Sequence, residues 1–235
     1  VLQNTSGAID ELYFQCQQKI KATANYFHNL VINGCAASSG SGYVTNTFDG
    51  LKKLLATASR EFTSDTSLTS SAEVASNANA FLDELDKLVA AIDGNCDMLM
   101  MNQGMLLKVR SVARAAGYYE RVKDDFGRYV ETFAGVPMVD LGKFYNGSAS
   151  VDVVETTSPT SEAKGKTAIY AVSLGLDAFH GISPSGSKII NAYMPDMKDV
   201  GAVKKGEVEL VAGVVLKNTL KAAVLKDIPV LPATT

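Results

Sequence analysis

The stretch DDFGRYVETFAGVPMVDLG, from Asp124 to Gly142, carries the strongest fold signal of the sequence. Two apolar runs, 129–133 and 136–141, flank Ala134-Gly135, a pattern typical of two strands joined by a tight turn. Pro137 limits the second strand to a sheet edge, or else marks the start of that strand. Because an isolated two-stranded ribbon is only marginally stable in water, we expect a sheet layer or a neighbouring subunit to cover it.

A long first helix is predicted over residues 9–32, where apolar residues recur at steps of three and four and form one stripe. The stripe consists of Ile9, Tyr13, Cys16, Ile20, Ala24, Phe27 and Val31. Asn33 and Gly34 are predicted to end the helix, with the glycine in a left-handed cap. Because a charge on a buried stripe would have no partner, we expect Ile20→Asp or Phe27→Asp to abolish folding.

Two further helices and a strand are predicted in the middle of the chain. A helix over 71–92 begins after Ser70, whose spacing to Glu73 matches a capping box. The run CDMLMM, residues 96–101, fits a buried strand, and Asn102 is placed to cap the helix that follows it. This alternation of strand and helix indicates an α/β layer.

Three late runs, 167–174, 208–216 and 222–225, are nearly continuous in apolar and β-branched residues, which is typical of strands covered on both faces. The closing PVLPATT is expected to be a frayed tail. Flexible joints or loops are predicted at three places, which are the glycine-rich loop 35–47, the linker or exposed loop 157–166, and the turn at Gly135.

The composition excludes several classes of function. The chain has 235 residues, a net charge of −3 and a pI near 5.5. This argues against a protein that grips nucleic acid through surplus Lys and Arg. No apolar run approaches the ~20 residues of a membrane span, and no secretory signal is visible. Cys16, Cys35 and Cys96 are odd in number and widely spaced, so we expect reduced thiols in a cytoplasmic setting rather than a disulfide framework or zinc site.

Candidate catalytic groups are few. His28 lies beside the stripe of the first helix, where a partly buried structural role is expected. His180 lies close enough in sequence to Ser183 and Ser185 for a serine hydrolase to be an alternative, with an aspartate as third member. The sequence contains no nucleophile elbow and no phosphate-binding glycine motif. We therefore assign no catalytic, cofactor-binding or metal-binding residue, and we expect neither a cofactor nor an enzyme.

Taken in chain order, these elements resemble the major capsid proteins of tailed bacteriophages. The matching segments are the first helix through Val31-Ile32-Asn33-Gly34, FDGL at 48–51, AFLDELDKLVAAI, MLMMNQGMLLKVRSVARAAGYY, FGRYVETFAGVPMVDLG, TAIYAVSLGLDAFHGI and GEVELVAGVVLKN. None is a strict motif, and the signal is their joint order over nearly the whole chain. The resemblance implies the α+β Hong Kong-type capsid fold, which encapsulin nanocompartments share.

The resemblance also implies a domain plan, in which a long spine helix lies on a peripheral-domain sheet beside an α/β axial domain. Residues 1–70 would belong to the peripheral domain, with the spine helix over 9–32. Residues 71–156 would form the axial domain, where the turn Gly135-Val136-Pro137 resembles one found in the family. Residues 157–235 would supply the peripheral-domain strands beneath the helix and a C-terminal tail.

The function implied by the resemblance is structural. Such a subunit assembles with itself into pentamers and hexamers and then into an icosahedral shell. The shell encloses double-stranded DNA without sequence-specific binding and without a membrane, and scaffold, portal or decoration proteins are further partners. Assembly would take place in the cytoplasm of a bacterial host, and the subunit would become part of the virion capsid. The alternative is an encapsulin-type nanocompartment shell, whose inner face binds the targeting peptide of an enzyme.

One departure from the family concerns the start of the chain. In the family a long N-terminal arm and an extended loop precede the spine helix, whereas this sequence has eight residues before the predicted helix. We expect these parts to have been removed or to be absent from a reduced relative. Covalent cross-linking, which some members show, is therefore not carried over.

Overall fold

The computed structural model describes residues 11–36, 47–117, 120–123, 129–186, 188–193 and 205–234. The helices of these segments are α1 (Glu11–Asn33), α2 (Leu51–Thr57), α3 (Ser71–Ala90) and α4 (Gln103–Ala115), and a 3-10 turn covers Thr219–Lys221. The strands are β1 (Glu61–Thr63), β2 (Met98–Met101), β3 (Glu120–Lys123), β4 (Tyr129–Phe133), β5 (Val136–Asp140), β6 (Lys143–Tyr145), β7 (Ser150–Asp152), β8 (Gly165–Val172), β9 (Phe179–Ile182), β10 (Ile190–Tyr193), β11 (Glu207–Leu210), β12 (Gly213–Leu216) and β13 (Ala222–Leu231).

Seven of these strands form one mixed sheet, the central sheet, in the order β1-β13-β8-β2-β5-β4-β3. β1 runs parallel to β13 and β2 parallel to β5, while the other neighbours are antiparallel. The remaining described strands form three antiparallel ribbons, β6–β7, β9–β12 and β10–β11. The predicted segments 1–70, 71–156 and 157–235 each contribute strands to the central sheet, and their division into domains stays a prediction.

The first face of the central sheet is covered by α3 and α4. Because side chains alternate along a strand, every second residue of the central strands points to this face. Leu99 of β2, Ile169 of β8 and Leu225 of β13 are buried here together with the apolar stripes of both helices. The buried residues of α3 are Val74, Ala78, Phe81, Leu85 and Leu88.

The second face of the central sheet is covered by α2 and by the end of α1. Met100, Tyr170 and Val224 alternate with the residues of the first face and pack in one cluster with Leu51 of α2 and Ile32 of α1. The prediction that the late apolar runs include strands covered on both faces is therefore confirmed for β8 and β13.

α1 has the predicted length but not the predicted surroundings. The helix contacts β6, α2 and the β10–β11 ribbon. The strands predicted to lie beneath it are thus divided, since β8 and β13 belong to the central sheet and β11 lies beside the helix. The predicted buried stripe is incomplete, because Cys16, Ile20 and Phe27 are half-buried and Ala24 is exposed. The reason to expect that Ile20→Asp or Phe27→Asp abolishes folding does not hold in a single chain.

Gly34 follows α1 for a different reason from the one predicted, because it does not have a positive φ. A Cβ atom at Gly34 would stand 2.5 Å from the carbonyl oxygen of Phe48. Gly50 donates its N–H to the Gly34 carbonyl at 2.9 Å, and a Cβ at Gly50 would stand 2.6 Å from the Gly34 nitrogen. Two backbone segments therefore meet at a distance that a side chain would not allow.

The ribbon of the opening stretch is present as β4 and β5. Its turn residues Ala134 and Gly135 have φ values of 49° and 80°, and two successive positive φ angles are typical of a type I′ hairpin turn. Pro137 is the second residue of β5 and precedes the ladder with β2, which begins at Met138. Pro137 thus occupies the strand start, one of its two predicted positions, and the layer that supports the ribbon is the central sheet.

Both predicted helix caps are present. The Oγ of Ser70 accepts the N–H of Glu73 at 3.2 Å. The Glu73 carboxylate, however, accepts the N–H of Thr69 at 3.0 Å, so the reciprocal half of the capping box is replaced by a neighbouring contact. Asn102 Oδ1 accepts the N–H of Met105 at 2.8 Å and caps α4 as predicted.

Two late predictions are corrected. The run 208–216 is not one strand, since β11 pairs with β10 and β12 pairs with β9, with a break between them. The closing segment is not simply frayed, because β13 extends to Leu231, which pairs with Gly165, and Val230 is buried.

The segment 157–166 is a loop closed at its base, where the N–H of Thr157 donates to the Lys166 carbonyl at 2.8 Å. Most of the predicted loop 35–47 lies outside the described residues.

Candidate functional site

α1 exposes three aromatic side chains, which point to different sides of the helix at about 100° per residue. Tyr13 is 56% exposed and Tyr26 is 43% exposed, and Phe14 is also exposed. Aromatic side chains bury large areas in protein cores and interfaces, so those on a helix are usually covered by another element or another chain. α1 therefore offers apolar area to a partner, both at these aromatic side chains and along the exposed part of its half-buried stripe.

A second apolar surface lies where the ribbons β9–β12 and β10–β11 meet. It consists of the exposed side chains Ile182, Ile189 and Val211, which we call the ribbon patch. The N–H of Val211 donates to the Ile189 carbonyl at 3.1 Å, and Ile182 pairs with Gly213 across the β9–β12 ladder. Exposed apolar residues that lie near one another are more informative than scattered ones, because larger apolar patches mark interaction sites.

A polar groove of ≈ 910 Å³ lies between the end of α1, α2 and the β6–β7 ribbon. Its charged side chains include Lys52, Lys53, Lys143, Asp152 and Glu155. An adjoining cavity of ≈ 200 Å³ shares several of these residues. No histidine lines either space among the described residues.

The smaller cavity contains an ion pair and a buried phenol. Lys226 Nζ lies 2.6 Å from a Glu61 carboxylate oxygen, and this hydrogen bond raises the pKa of Lys226. Burial, with the nearby Glu61 charge as a second cause, raises the pKa of Tyr170, so its hydroxyl stays protonated at neutral pH. The cavity thus presents fixed charges and a hydroxyl donor, but no activated nucleophile.

His28 and Asn33 connect α1 to the residues that flank the β6–β7 ribbon. His28 Nε2 lies 2.7 Å from the Leu141 carbonyl oxygen, which accepts its hydrogen bond. Asn33 Nδ2 donates to the Val153 carbonyl at 2.7 Å. The structural role predicted for His28 fits this contact, although its side chain is exposed rather than partly buried.

The described residues do not assemble the hydrolase alternative. His180 lies in β9 opposite Val215, and its Nδ1 is buried without a hydrogen-bond partner. Ser183 and Ser185 follow the end of β9 and are exposed. Within the described segments no hydrogen bond joins His180 to either serine or to a carboxylate, whereas a triad depends on such contacts. The expectation that the chain is not an enzyme stays a prediction.

Other classes of site have no support in the described segments. No group of three or more His, Cys, Asp and Glu residues is arranged there to hold a metal ion. None of the helices in those segments is long and apolar enough to cross a bilayer. Cys16, Cys35 and Cys96 are free thiols, as predicted, and burial raises the pKa of Cys96, which lowers its reactivity.

Sequence reasoning missed the polar groove because its walls come from distant parts of the chain. Residues 29–35, 52–61 and 143–158 line it, and no motif links these segments. The one available signal was the pair Gly34 and Gly50, which makes the close backbone crossing at the edge of the groove.

No protein-family model matches the sequence, and no curated protein matches it. Among solved structures, the chain is similar to the holo-SrpI encapsulin complex from Synechococcus elongatus PCC 7942. The similarity covers 100% of this chain and 71% of the encapsulin chain, with a TM-score of 0.67 and 15% sequence identity. The chain therefore has a capsid-like α+β fold that it shares with an encapsulin.

Proposed function

We propose that the chain is a subunit of a self-assembling closed protein shell. The observation that carries this proposal is the similarity of the entire chain to an encapsulin chain. The exposed aromatic side chains of α1 and the ribbon patch support it, because a subunit of an assembly exposes apolar area that its neighbours cover.

Of the two kinds of shell, the encapsulin-type nanocompartment is the better supported. The similar solved structure is an encapsulin complex, and such a shell would reside in the cytoplasm of a bacterial cell. Its inner face would bind the targeting peptide of an enclosed enzyme. The polar groove between α1, α2 and the β6–β7 ribbon is one candidate for such a segment, since it has a volume of ≈ 910 Å³ and carries charges of both signs.

The capsid of a tailed phage is the second candidate. It is favoured by the resemblance of the ordered sequence segments, including Gly135-Val136-Pro137, to phage major capsid proteins. Such a capsid would enclose double-stranded DNA and become part of the virion, with scaffold, portal or decoration proteins as partners. Fold cannot separate the two candidates, because one fold serves both.

The mechanism of a shell subunit is geometric. Each specific contact between subunits buries on the order of 1,600 Å² in total, and contacts between different faces of identical copies close into rings when the rotation allows it. No residue needs to act as an acid, base or nucleophile, and no cofactor is needed. The stability of the shell is then the sum of many modest contacts repeated by symmetry.

The first test is the mass of the protein in solution, measured by light scattering after size exclusion. It should be made on this chain and on a chain that includes any residues its gene encodes before Val1. We expect rings or megadalton shells from at least one of them. If this chain keeps its single-chain mass of 24.9 kDa and the longer chain keeps its own single-chain mass at every salt concentration, the shell function is wrong.

A second measurement separates the two kinds of shell. Particles purified from bacterial cells would be treated with nuclease, opened and analysed for protein and nucleic acid. Enclosed enzyme with little protected DNA would support the encapsulin type, whereas long nuclease-protected DNA would support the phage capsid.

A further inference from the structure

The two helices above the first face of the central sheet carry opposite charges. α4 contains Lys108, Arg110 and Arg114 and no acidic residue. α3 contains four carboxylates and one cation, the exposed Lys87. Of the carboxylates, Asp83 and Asp86 are exposed. Among the described residues these two carboxylates take part in no ion pair. One layer of the molecule therefore offers an acidic helix beside a basic one.

The three cations of α4 differ in how far their own chain uses them. Arg110 pairs with the buried carboxylate of Glu131 at 2.7 Å. Lys108 donates to the Thr69 carbonyl at 3.2 Å. Arg114 is exposed, donates to the Ser111 hydroxyl at 3.0 Å, and makes no ion pair within the described segments. Arg114 is thus the α4 charge most available to a partner.

An apolar side chain stands within the basic surface of α4. Leu107 is 51% exposed and lies three residues before Arg110 and seven before Arg114, on the same side of the helix. The exposed side of α3 is built mainly from small residues, which are Ala72, Ala75, Ser76, Ala80 and Ala90. A helix with small exposed residues lets a large side chain from outside approach its backbone closely.

The groups that each helix offers to a partner lie within about two turns. Leu107 and Arg114 are separated by about 10.5 Å along α4, and Asp83 and Asp86 by about 4.5 Å along α3, at 1.5 Å per residue. A cavity of ≈ 270 Å³ between α3 and α4, lined in part by Ala75 and Arg114, leaves room for an incoming side chain.

We propose that this surface is a contact between two copies of the chain, in which α4 of one copy lies against α3 of the other. Leu107 and Arg114 of α4 meet the small residues and the carboxylates Asp83 and Asp86 of α3. The inference rests on the proposed shell function and names one of its contacts. Because the charges are exposed, the contact is expected to weaken as salt is added.

Charge reversal provides the test, with assembly measured by light scattering after size exclusion. Arg114→Glu places acidic residues on both helices, and the double change Asp83→Arg with Asp86→Arg places basic residues on both. Each variant alone is expected to associate about tenfold more weakly than the unaltered chain at low salt. A mixture of the two variants, or all three changes in one chain, restores opposite charges and should restore association.

The controls separate this inference from folding and from the function on which it rests. Lys217→Glu makes the same charge change as Arg114→Glu on an exposed residue that follows β12 and lies on neither helix, and it should leave association unchanged. Circular dichroism should show unaltered folding for every variant, and the neutral changes Arg114→Gln and Asp83→Asn should have intermediate effects.

Two results would overturn the inference while leaving the shell function intact. One is that the reversal variants assemble like the unaltered chain, and the other is that they assemble poorly and their mixture does no better. If the unaltered chain does not assemble in any form, the shell function fails and this contact fails with it.

Discussion

The α3–α4 side of the central sheet and the α1 side differ in how completely one chain covers them. Under α3 and α4 the core is closed, and Phe81 and Met105 have no exposed surface. Along α1, Ile20 and Phe27 are only half-buried and Tyr13 is mostly exposed. The comparison indicates that the core under α3 and α4 is stabilised within the subunit, whereas the α1 side depends on contacts with other subunits. We call the α3–α4 side the closed side and the α1 side the open side.

The largest effect is expected where the core is closed. Phe81→Ala should lower the free energy of unfolding by about 3–5 kcal/mol, because it removes a fully buried ring and leaves a cavity. The matched control on the other side is Phe14→Ala, which should change it by less than about 0.5 kcal/mol. Urea unfolding of both variants measures the difference. Similar losses from the two substitutions would contradict the comparison.

A smaller loss is expected at the polar anchor of the closed side. The buried amide of Asn102 donates to the Val154 carbonyl and to the Thr156 hydroxyl, both at 2.8 Å, in addition to capping α4. Asn102→Ala should therefore cost about 2–3 kcal/mol, from the lost cap and the buried groups left without partners. Ser70→Ala, which removes only a cap, should cost about 1 kcal/mol. Equal costs in chemical denaturation would show that the additional contacts of Asn102 contribute nothing.

The open side gives a prediction of a different kind. Ile20→Asp should lower the stability of a single chain by about 1 kcal/mol, since the site is half-exposed and the charge keeps contact with water. The same change should impair assembly, because it places a charge on area offered to a neighbour. Gln18→Asp, on an exposed position of the same helix, is the control. Circular dichroism and light scattering read out the two effects, and an unfolded Ile20→Asp chain would mean that α1 packs as tightly as α3.

The smallest effect concerns pH. Hydrogen bonds from the hydroxyls of Thr69 and Ser67 lower the pKa of Glu73 from 4.5 to about 2. Because the carboxylate is favoured in the folded state, its stabilising effect is present above about pH 4.5 and is lost as the pH falls toward 2. The melting temperature of the unaltered chain should therefore fall more steeply over this range than that of Glu73→Gln. Parallel curves for the two proteins would show that Glu73 does not contribute.

Much of the closed side could be predicted from local sequence. The stripe from Val74 to Leu88, the cap residue Asn102 and the turn at Ala134-Gly135 each act within a few residues of chain. Their periodicity, side-chain chemistry and backbone requirements were sufficient to place them. The same reasoning gave the existence of α1 and nearly its bounds.

The open side could not be predicted in this way because its arrangement depends on long-range pairing. Nothing local in residues 208–216 indicates that two strands form there and join different partners. Periodicity also cannot distinguish a stripe that is buried within the chain from one that is completed by another subunit, so the predicted burial of Ile20 was wrong. The polar groove could not be predicted either, because its walls come from distant parts of the chain. The proposed contact between α3 of one copy and α4 of another likewise depends on which side chains the tertiary structure leaves exposed.

β13 has a consequence for the order of events during synthesis. This strand lies between β1 and β8, and it pairs Glu61 with Val224, residues far apart in the chain. It is also the last strand of the central sheet to leave the ribosome. The sheet face against which α3 and α4 pack is therefore incomplete until residues 222–231 have emerged. Contacts of such high sequence separation slow folding. We therefore expect the subunit to complete its sheet only after residues 222–231 have been made, which would delay association between chains that are still being synthesised.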